Sequence, residues 1–117
     1  MKKENRLRKN RYFKEVYSKG KSVANRYLVV YCLKNNKDIT RIGVSVSKKF
    51  GKSVERNKLK RRIREAARLS LDRVENGYDI VIIPRKMVRG VDFNKIKRSL
   101  YYLFMKSGII KGRDKVD

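Results

Sequence analysis

Apolar residues along the chain repeat with two different periods. Residues 27–33 (YLVVYCL) and 40–47 (TRIGVSVS) are rich in β-branched and aromatic side chains and read as strands. In the second, Ile42, Val44 and Val46 alternate with Arg41, Gly43, Ser45 and Ser47, giving one apolar face and one mostly small, polar face. The turn-like segment 34–39 (KNNKDI) between them predicts an antiparallel hairpin. A further strand is expected over 78–83 (YDIVII), after the break at 76–79 (NGYD) and before Pro84, the only proline. Residues 20–24 (GKSVA) suit a short extra strand.

Elsewhere the spacing is helical. Asn10 is the expected cap of a short helix that carries Phe13, Val16 and Tyr17 on one face and stops at Gly20. Ser53 is the expected N-cap of a long helix reaching about Val74, with Glu55 in its first turn. Asp92 heads a last helix in which Phe93, Ile96, Leu100, Leu103 and Phe104 keep helical spacing, ended by Gly108. No repeat, low-complexity segment or linker divides the chain, so residues 1–117 read as one domain. The order α-β-β-α-β-α, with the short strand over 20–24 in addition, is that of an α+β fold, a small sheet with helices packed on it. Residues 1–9 and 109–117 are expected to be loose.

Composition narrows the function. The apolar share, 40%, suits a packed core, whereas 34 Lys and Arg against 11 acids give a net charge of +23. Such charge works against compaction, and it points to a polyanionic partner, nucleic acid foremost. The single cysteine, Cys32, reads as a small buried apolar residue of a reduced, cytoplasmic protein. No apolar segment follows the basic N-terminus as in a signal peptide, and residues 27–33 are too few to cross a bilayer.

The charge is densest over residues 47–68 (SKKFGKSVERNKLKRRIREAAR), with ten Lys or Arg and two acids. At about 100° per residue, Leu59, Ile63, Ala66, Ala67 and Ser70 form a narrow stripe suited to close packing on a sheet. Beside it Lys60, Arg64 and Arg68 form an i, i+4 row, flanked by Asn57 and Arg61. Like charges at that spacing weaken a helix in isolation, so the row is better read as a phosphate-binding face than as an ordinary solvated one. The stripe is too small, and too poor in bulky side chains, for a membrane-surface helix. Lys48, Lys49 and Lys52 add charge where the helix begins and its backbone N–H groups are free. Gly51-Lys52-Ser53 superficially matches a phosphate-binding nucleotide loop, but Val46 stands where that motif needs another glycine.

Aromatic residues form a second feature. Tyr12, Phe13 and Tyr17 fall on the first helix, and Tyr27 and Tyr31 on the first long strand, where spacing by four puts the last two on one face. Rings beside cations suit unstacked bases of single-stranded RNA, although Phe13 and Tyr31 are equally suited to the core. Histidine is absent, which removes imidazole catalysis and most transition-metal sites. The acids are scattered rather than clustered as a two-metal nuclease site requires. The chain is unequipped to act as an enzyme alone.

Residues 43–68 (GVSVSKKFGKSVERNKLKRRIREAAR) resemble the signature of the bacterial ribonuclease P protein family. Residues 7–31 (LRKNRYFKEVYSKGKSVANRYLVVY), 77–86 (GYDIVIIPRK) and the closing helix resemble its remaining parts. The resemblance implies a ribonucleoprotein endoribonuclease, in which a large catalytic RNA supplies the active site and removes the 5′ leader of precursor tRNA by Mg²⁺-dependent hydrolysis. The Mg²⁺ is bound mainly through RNA, and neither a protein-borne catalytic residue nor an obligate protein partner is expected. The implied fold is a mainly antiparallel mixed sheet in a ribosomal-protein-like domain, with a left-handed β-α-β crossover. Carried over residue by residue, the catalytic RNA falls to Lys48, Lys49, Lys52, Arg56, Asn57, Lys58, Lys60, Arg61, Arg64 and Arg68. The leader falls to a cleft at Phe13, Tyr17 and Tyr31. The family's Arg-Asn-Arg triplet is Arg56-Asn57-Lys58 here, which keeps the charge but not the bidentate fork of the last arginine. Tyr17 stands where phenylalanine is familiar, which preserves stacking and adds a hydroxyl.

Three rivals make different demands. A ribosomal RNA-binding protein would co-sediment with ribosomal subunits, and a stand-alone metal nuclease would cut RNA unaided. A helix-turn-helix reader would prefer duplex DNA of one sequence.

Overall fold

The computed structural model describes residues 1–112. Its two most continuously apolar strands lie inside one four-stranded sheet, where both faces need cover. The sheet comprises β1 (Lys21–Ala24), β2 (Leu28–Lys34), β3 (Arg41–Val44) and β4 (Tyr78–Pro84), in the spatial order β1-β2-β4-β3. Helix α1 (Asn10–Lys19) precedes the sheet, α2 (Ser53–Ser70) connects β3 to β4, and α3 (Phe93–Lys106) follows. The elements and their order are those the sequence patterning predicts, including the short strand β1, and the mixed, mainly antiparallel sheet is the one the resemblance implies.

The expected hairpin between residues 27–33 and 40–47 does not form. Strand β4 lies between the two, pairing antiparallel with β2 from Leu28↔Pro84 to Lys34↔Tyr78 and parallel with β3 from Arg41↔Asp79 to Val44↔Ile82. The cause is the distribution of apolar residues: β2 and β4 are apolar on both faces, whereas β3 offers Arg41 and Gly43 on one face and suits an edge. The hairpin that does form joins β1 to β2, where Asn25 Oδ1 accepts from the backbone N–H groups of Tyr27 and Leu28 at 3.0 Å each.

Alternate residues of the strands feed two cores. Leu28, Val30, Ile42, Val44, Ile80 and Ile82 meet Ile63, Ala66 and Ala67 of α2 and Ile96, Leu100, Leu103 and Phe104 of α3. The alanines let α2 lie close to the sheet, and each large side chain removed from water contributes about 1.5–3 kcal/mol. On the opposite face, Val81 packs with Val16 of α1 and Leu7, bordered by Phe13, Tyr31 and Ile83. Among the described residues no helix is long and apolar enough to cross a membrane.

Both ends of the described chain are held more firmly than expected. Leu7 is buried, its N–H donates to Ile42 O at 3.0 Å, and Arg6 bridges to Ile42 along the outer side of β3. A single leucine among charged neighbours carries no periodic signal, so this anchor was not legible in the sequence. Ile109 and Ile110 are also buried: Glu75 N–H donates to Ile109 O, and Lys111 N–H to Arg73 O, each at 2.7 Å. Residues 109–111 of the expected loose tail are thus held in place, and its last part, residues 113–117, lies outside the described residues. The helix caps also differ. Asn10 and Ser53 are first helical residues after Lys9 and Lys52, and neither these caps nor Asp92, which does precede α3, has a side-chain cap bond. Helix α2 stops at Ser70, and a 3₁₀ turn over Leu71–Arg73 completes the run to Val74.

One acid is buried among the described residues. Asp79 receives Nε and Nη2 of Arg41 at 2.8 and 2.6 Å and the amide of Asn35 at 2.9 Å. The Arg41 guanidinium lies 4.3 Å from the centre of the Tyr12 ring, so one ion pair ties β3, β4, the β2–β3 loop and α1 together. Removing one partner of a buried pair costs about 3–5 kcal/mol. Asp79→Ala is accordingly expected to lower the urea-unfolding free energy by that amount, whereas Glu65→Ala, at the exposed pair with Arg68, leaves the midpoint unchanged. Burial pushes the Cys32 thiol up to about 11. The thiol therefore stays neutral in the folded protein at pH 7–8, and its contribution to stability fades as pH rises from about 8.5 toward that value. Native protein should resist iodoacetamide at neutral pH and react on unfolding, as mass spectrometry would detect.

Candidate nucleic-acid interface

Helix α2 buries Ile63, Ala66, Ala67 and Ser70 against the sheet, which fixes where its cations project. Arg56, Lys60 and Arg64 are half-buried on the flank toward the N-terminal segment, while Asn57, Arg61 and Arg68 are exposed. Lys58 is exposed on the other side of the helix, about 160° around the axis from Lys60. The ten expected residues therefore do not form one face. Lys48 and Lys49 sit in a 3₁₀ turn anchored by buried Phe50, followed by Gly51 at φ 115°, a conformation that favours glycine. The Glu55 carboxylate lies over this turn: a Cβ on Gly51 would stand 2.5 Å from its Oε2. The lysines at the start of α2 are exposed, but an acid accompanies the helix N-terminus.

Charge on the inner flank is uncompensated. The salt bridges among the described residues are Arg41–Asp79 and Arg68–Glu65. Arg68 is thus partnered, and its guanidinium holds the Glu65 carboxyl below the usual range. Arg64 is held below the usual arginine range by partial burial and then by the like charges of Arg6 and Arg8. Arg64 thus lies among like charges, whose repulsion an anion would relieve.

That flank forms part of a concavity of about 410 Å³. Arg8, Asn10, Phe13, Lys14 and Tyr17 line it from the N-terminal segment and α1. The end of β3 and the residues after it supply Val44, Ser45 and Val46, and α2 supplies Lys60. Phe13 reaches this position because Gly43 lies beneath it: a Cβ there would overlap the ring and stand 3.1 Å from Leu7 Cβ. Tyr17 is 38% exposed, and its ring meets Tyr31 edge-on with centroids 5.3 Å apart and planes at 76°. Phe13 and Tyr17 are therefore wall residues, and half-buried Tyr31 supports Tyr17. Phe13 and Tyr31 also border the smaller core.

Other expected aromatics lie elsewhere. Tyr12 stacks with Arg41 and Arg11, which lower its hydroxyl pKa through hydrogen bonding, the Arg11 bond being the larger effect. Tyr27 does not share a face with Tyr31, because the turn at Asn25 delays β2 until Leu28. It packs against the α2–α3 core beside Lys95 and Arg26, which lower its hydroxyl pKa. Sequence reasoning missed Arg6, Arg8, Asn10 and Ser45 as neighbours of the basic flank or the concavity. The isolated glycine in a strand, Gly43, was the one signal of a close approach there.

A mixed sheet with one helix on one face and two on the other, and a groove that joins aromatic rings to a basic helix, defines a class of small basic α+β proteins. The family model described as Ribonuclease P matches residues 1–108. Ribonuclease P protein components of Clostridium botulinum (strain Loch Maree / Type A3) and Clostridium acetobutylicum are each 51% identical to it. Their alignments span 108 and 110 residues, each 92% of this chain, and 97% and 92% of those proteins. The Staphylococcus aureus RNase P protein superimposes with a TM-score of 0.82 at 38% identity, covering 92% of this chain and 98% of that one. The Thermotoga maritima RNase P protein gives 0.80 at 42%, covering 86% and 96%. The chain belongs to the ribonuclease P protein family.

Gly43→Ala is expected to cost about 1–3 kcal/mol by overpacking. Phe13→Leu in that background should restore part of the loss, so the two changes couple in a double-mutant cycle of urea unfolding. Additive effects would show that the ring does not depend on the missing Cβ.

Proposed function

We propose that this chain is the protein subunit of a ribonuclease P ribonucleoprotein that removes the 5′ leader of precursor tRNA. The observation that carries this reading is the meeting of Phe13 and Tyr17 with Lys60 around one concavity. Bases of a single strand stack on the rings, while phosphates meet Arg8, Lys14 and Lys60. The catalytic RNA lies along Arg56, Asn57, Lys60, Arg61 and Arg64, with Lys48, Lys49 and Lys52 at the helix start and Lys58 and Arg68 as outlying contacts. Lys60 belongs to both surfaces and sets the leader beside the RNA that cuts it.

The chemistry falls to the catalytic RNA. In this reading the Mg²⁺ that supports hydrolysis is bound mainly through the RNA. The protein's own part is electrostatic and steric. Positive charge between two polyanions lowers the Mg²⁺ needed to join them, and each phosphate contact adds roughly 0.7–0.9 to the salt dependence. Stacking the leader favours precursor over mature tRNA and helps product leave. Such work places the protein in the cytoplasm.

The test is precursor-tRNA cleavage at low Mg²⁺ with protein alone, a bacterial ribonuclease P RNA alone, and both together. Cleavage at the mature 5′ end with both, but not with either alone, is expected. Cleavage by the protein alone, or no gain over RNA alone, contradicts the proposal. In the reconstituted enzyme, Tyr17→Ala should weaken precursor binding by about 1–3 kcal/mol, one stacked base, and leave mature tRNA binding unchanged.

A further inference from the structure

A second concavity, of about 590 Å³, opens at the other edge of the sheet, against β1. Its floor is apolar and aromatic, formed by Val23, Cys32, Tyr78 and Ile109, all on the face of the sheet that carries α3. Four exposed lysines surround it: Lys19 at the end of α1, Lys21 on β1, Lys34 at the end of β2 and Lys106 at the end of α3. Ser22 and Ser107 add hydroxyls, and no carboxylate lines it.

Part of this charge has local uses. Lys19 and Lys106 oppose the negative ends of their helices, and Lys21 guards an exposed edge strand against pairing. These uses do not require the lysines to surround an apolar hollow without one acid among them. Cys32 is no nucleophile there, since burial keeps its thiol neutral at physiological pH. What remains is a binding site for something flat and apolar that carries negative charge, and its volume falls within the range of ordinary ligand sites, about 300–1,000 Å³.

Helix α1 links this hollow to the first. It carries Phe13, Lys14 and Tyr17 in the first concavity and Lys19 at the margin of the second. A helix of ten residues spans about 15 Å. A single strand lying along α1 therefore passes from one to the other. We propose that the hollow at β1 takes an unpaired nucleotide of single-stranded RNA, its base on Val23 and Tyr78, which share the face of the sheet that carries α3, and its flanking phosphates on Lys21, Lys34 and Lys106. This rests on the reading of α1 as a single-strand surface and adds a second, separate base site.

The test uses the full chain and a short single-stranded oligoribonucleotide carrying 4-thiouridine, with photo-crosslinked peptides mapped by mass spectrometry. Adducts are expected both on residues 12–17 and on residues 21–23 or 78. The triple variant Lys21→Gln, Lys34→Gln, Lys106→Gln should lose the second set and bind about tenfold more weakly, as loss of several phosphate contacts predicts. A control triple, Lys86→Gln, Lys97→Gln, Lys111→Gln, removes the same charge elsewhere and should keep both sets. Adducts confined to residues 12–17 would overturn the second site and leave the proposed function standing, whereas no adducts at all would count against both. Loss of the second set in the control would reduce the effect to net charge, and selective displacement of that set by a free nucleoside diphosphate would reassign the hollow to a small ligand; either outcome overturns the proposal.

Discussion

A chain with 34 basic and 11 acidic side chains has to fold against its own repulsion, and the architecture follows from how it does so. Cohesion comes from a sheet covered on both faces, with Ile80 and Ile82 of β4 and Ala66 and Ala67 of α2 in one core. The lone buried acid of the described residues is placed where it does most, at the parallel β3–β4 pair, neutralising Arg41 under the Tyr12 ring. The remaining cations are pushed outward, and on the inner flank of α2 they are crowded rather than dispersed. In the free protein Arg64 bears the like charge of Arg6 and Arg8.

The aromatic groove depends on the same sheet. Its floor exists because β3 presents glycine rather than a side chain to α1, so the Phe13 ring settles into the space and Tyr17 is left standing beside it. Ring, cation and groove depth thus share one cause, the close approach of the Phe13 ring to an edge strand. Phe13 belongs to a core on one side and to the groove wall on the other, and Tyr31 of the same core supports Tyr17.

Element types and their order were legible in the sequence, because 3.6-residue and two-residue periods are strong over α2, α3, β2 and β4. Strand adjacency was not, since periodicity records which face is apolar but not which neighbour covers an edge; β4 entered between two strands that precede it. The basic helix was legible as a charge run, and the family resemblance supplied roles for its residues. Its division into an inner flank with Lys60 and Arg64 and an outer side with Lys58 required the position of α1. Tyr27 was misplaced for a local reason, an asparagine-centred turn that shifted the start of β2 by one residue. Leu7, Arg6 and Arg8 were passed over because a non-periodic basic segment does not reveal that it docks.

The position of β4 has a consequence for biosynthesis. Strands β2 and β3 leave the ribosome before the strand that joins them, and Leu28 waits for Pro84 to arrive. Until then the nascent chain exposes two apolar ribbons and a strongly cationic helix with no sheet to hold them apart, and such non-local pairing is slow to form. Emerging into a compartment crowded with RNA, that helix meets its counter-charge before the protein has finished folding, so the polyanion can act on the folding chain as well as on the native one.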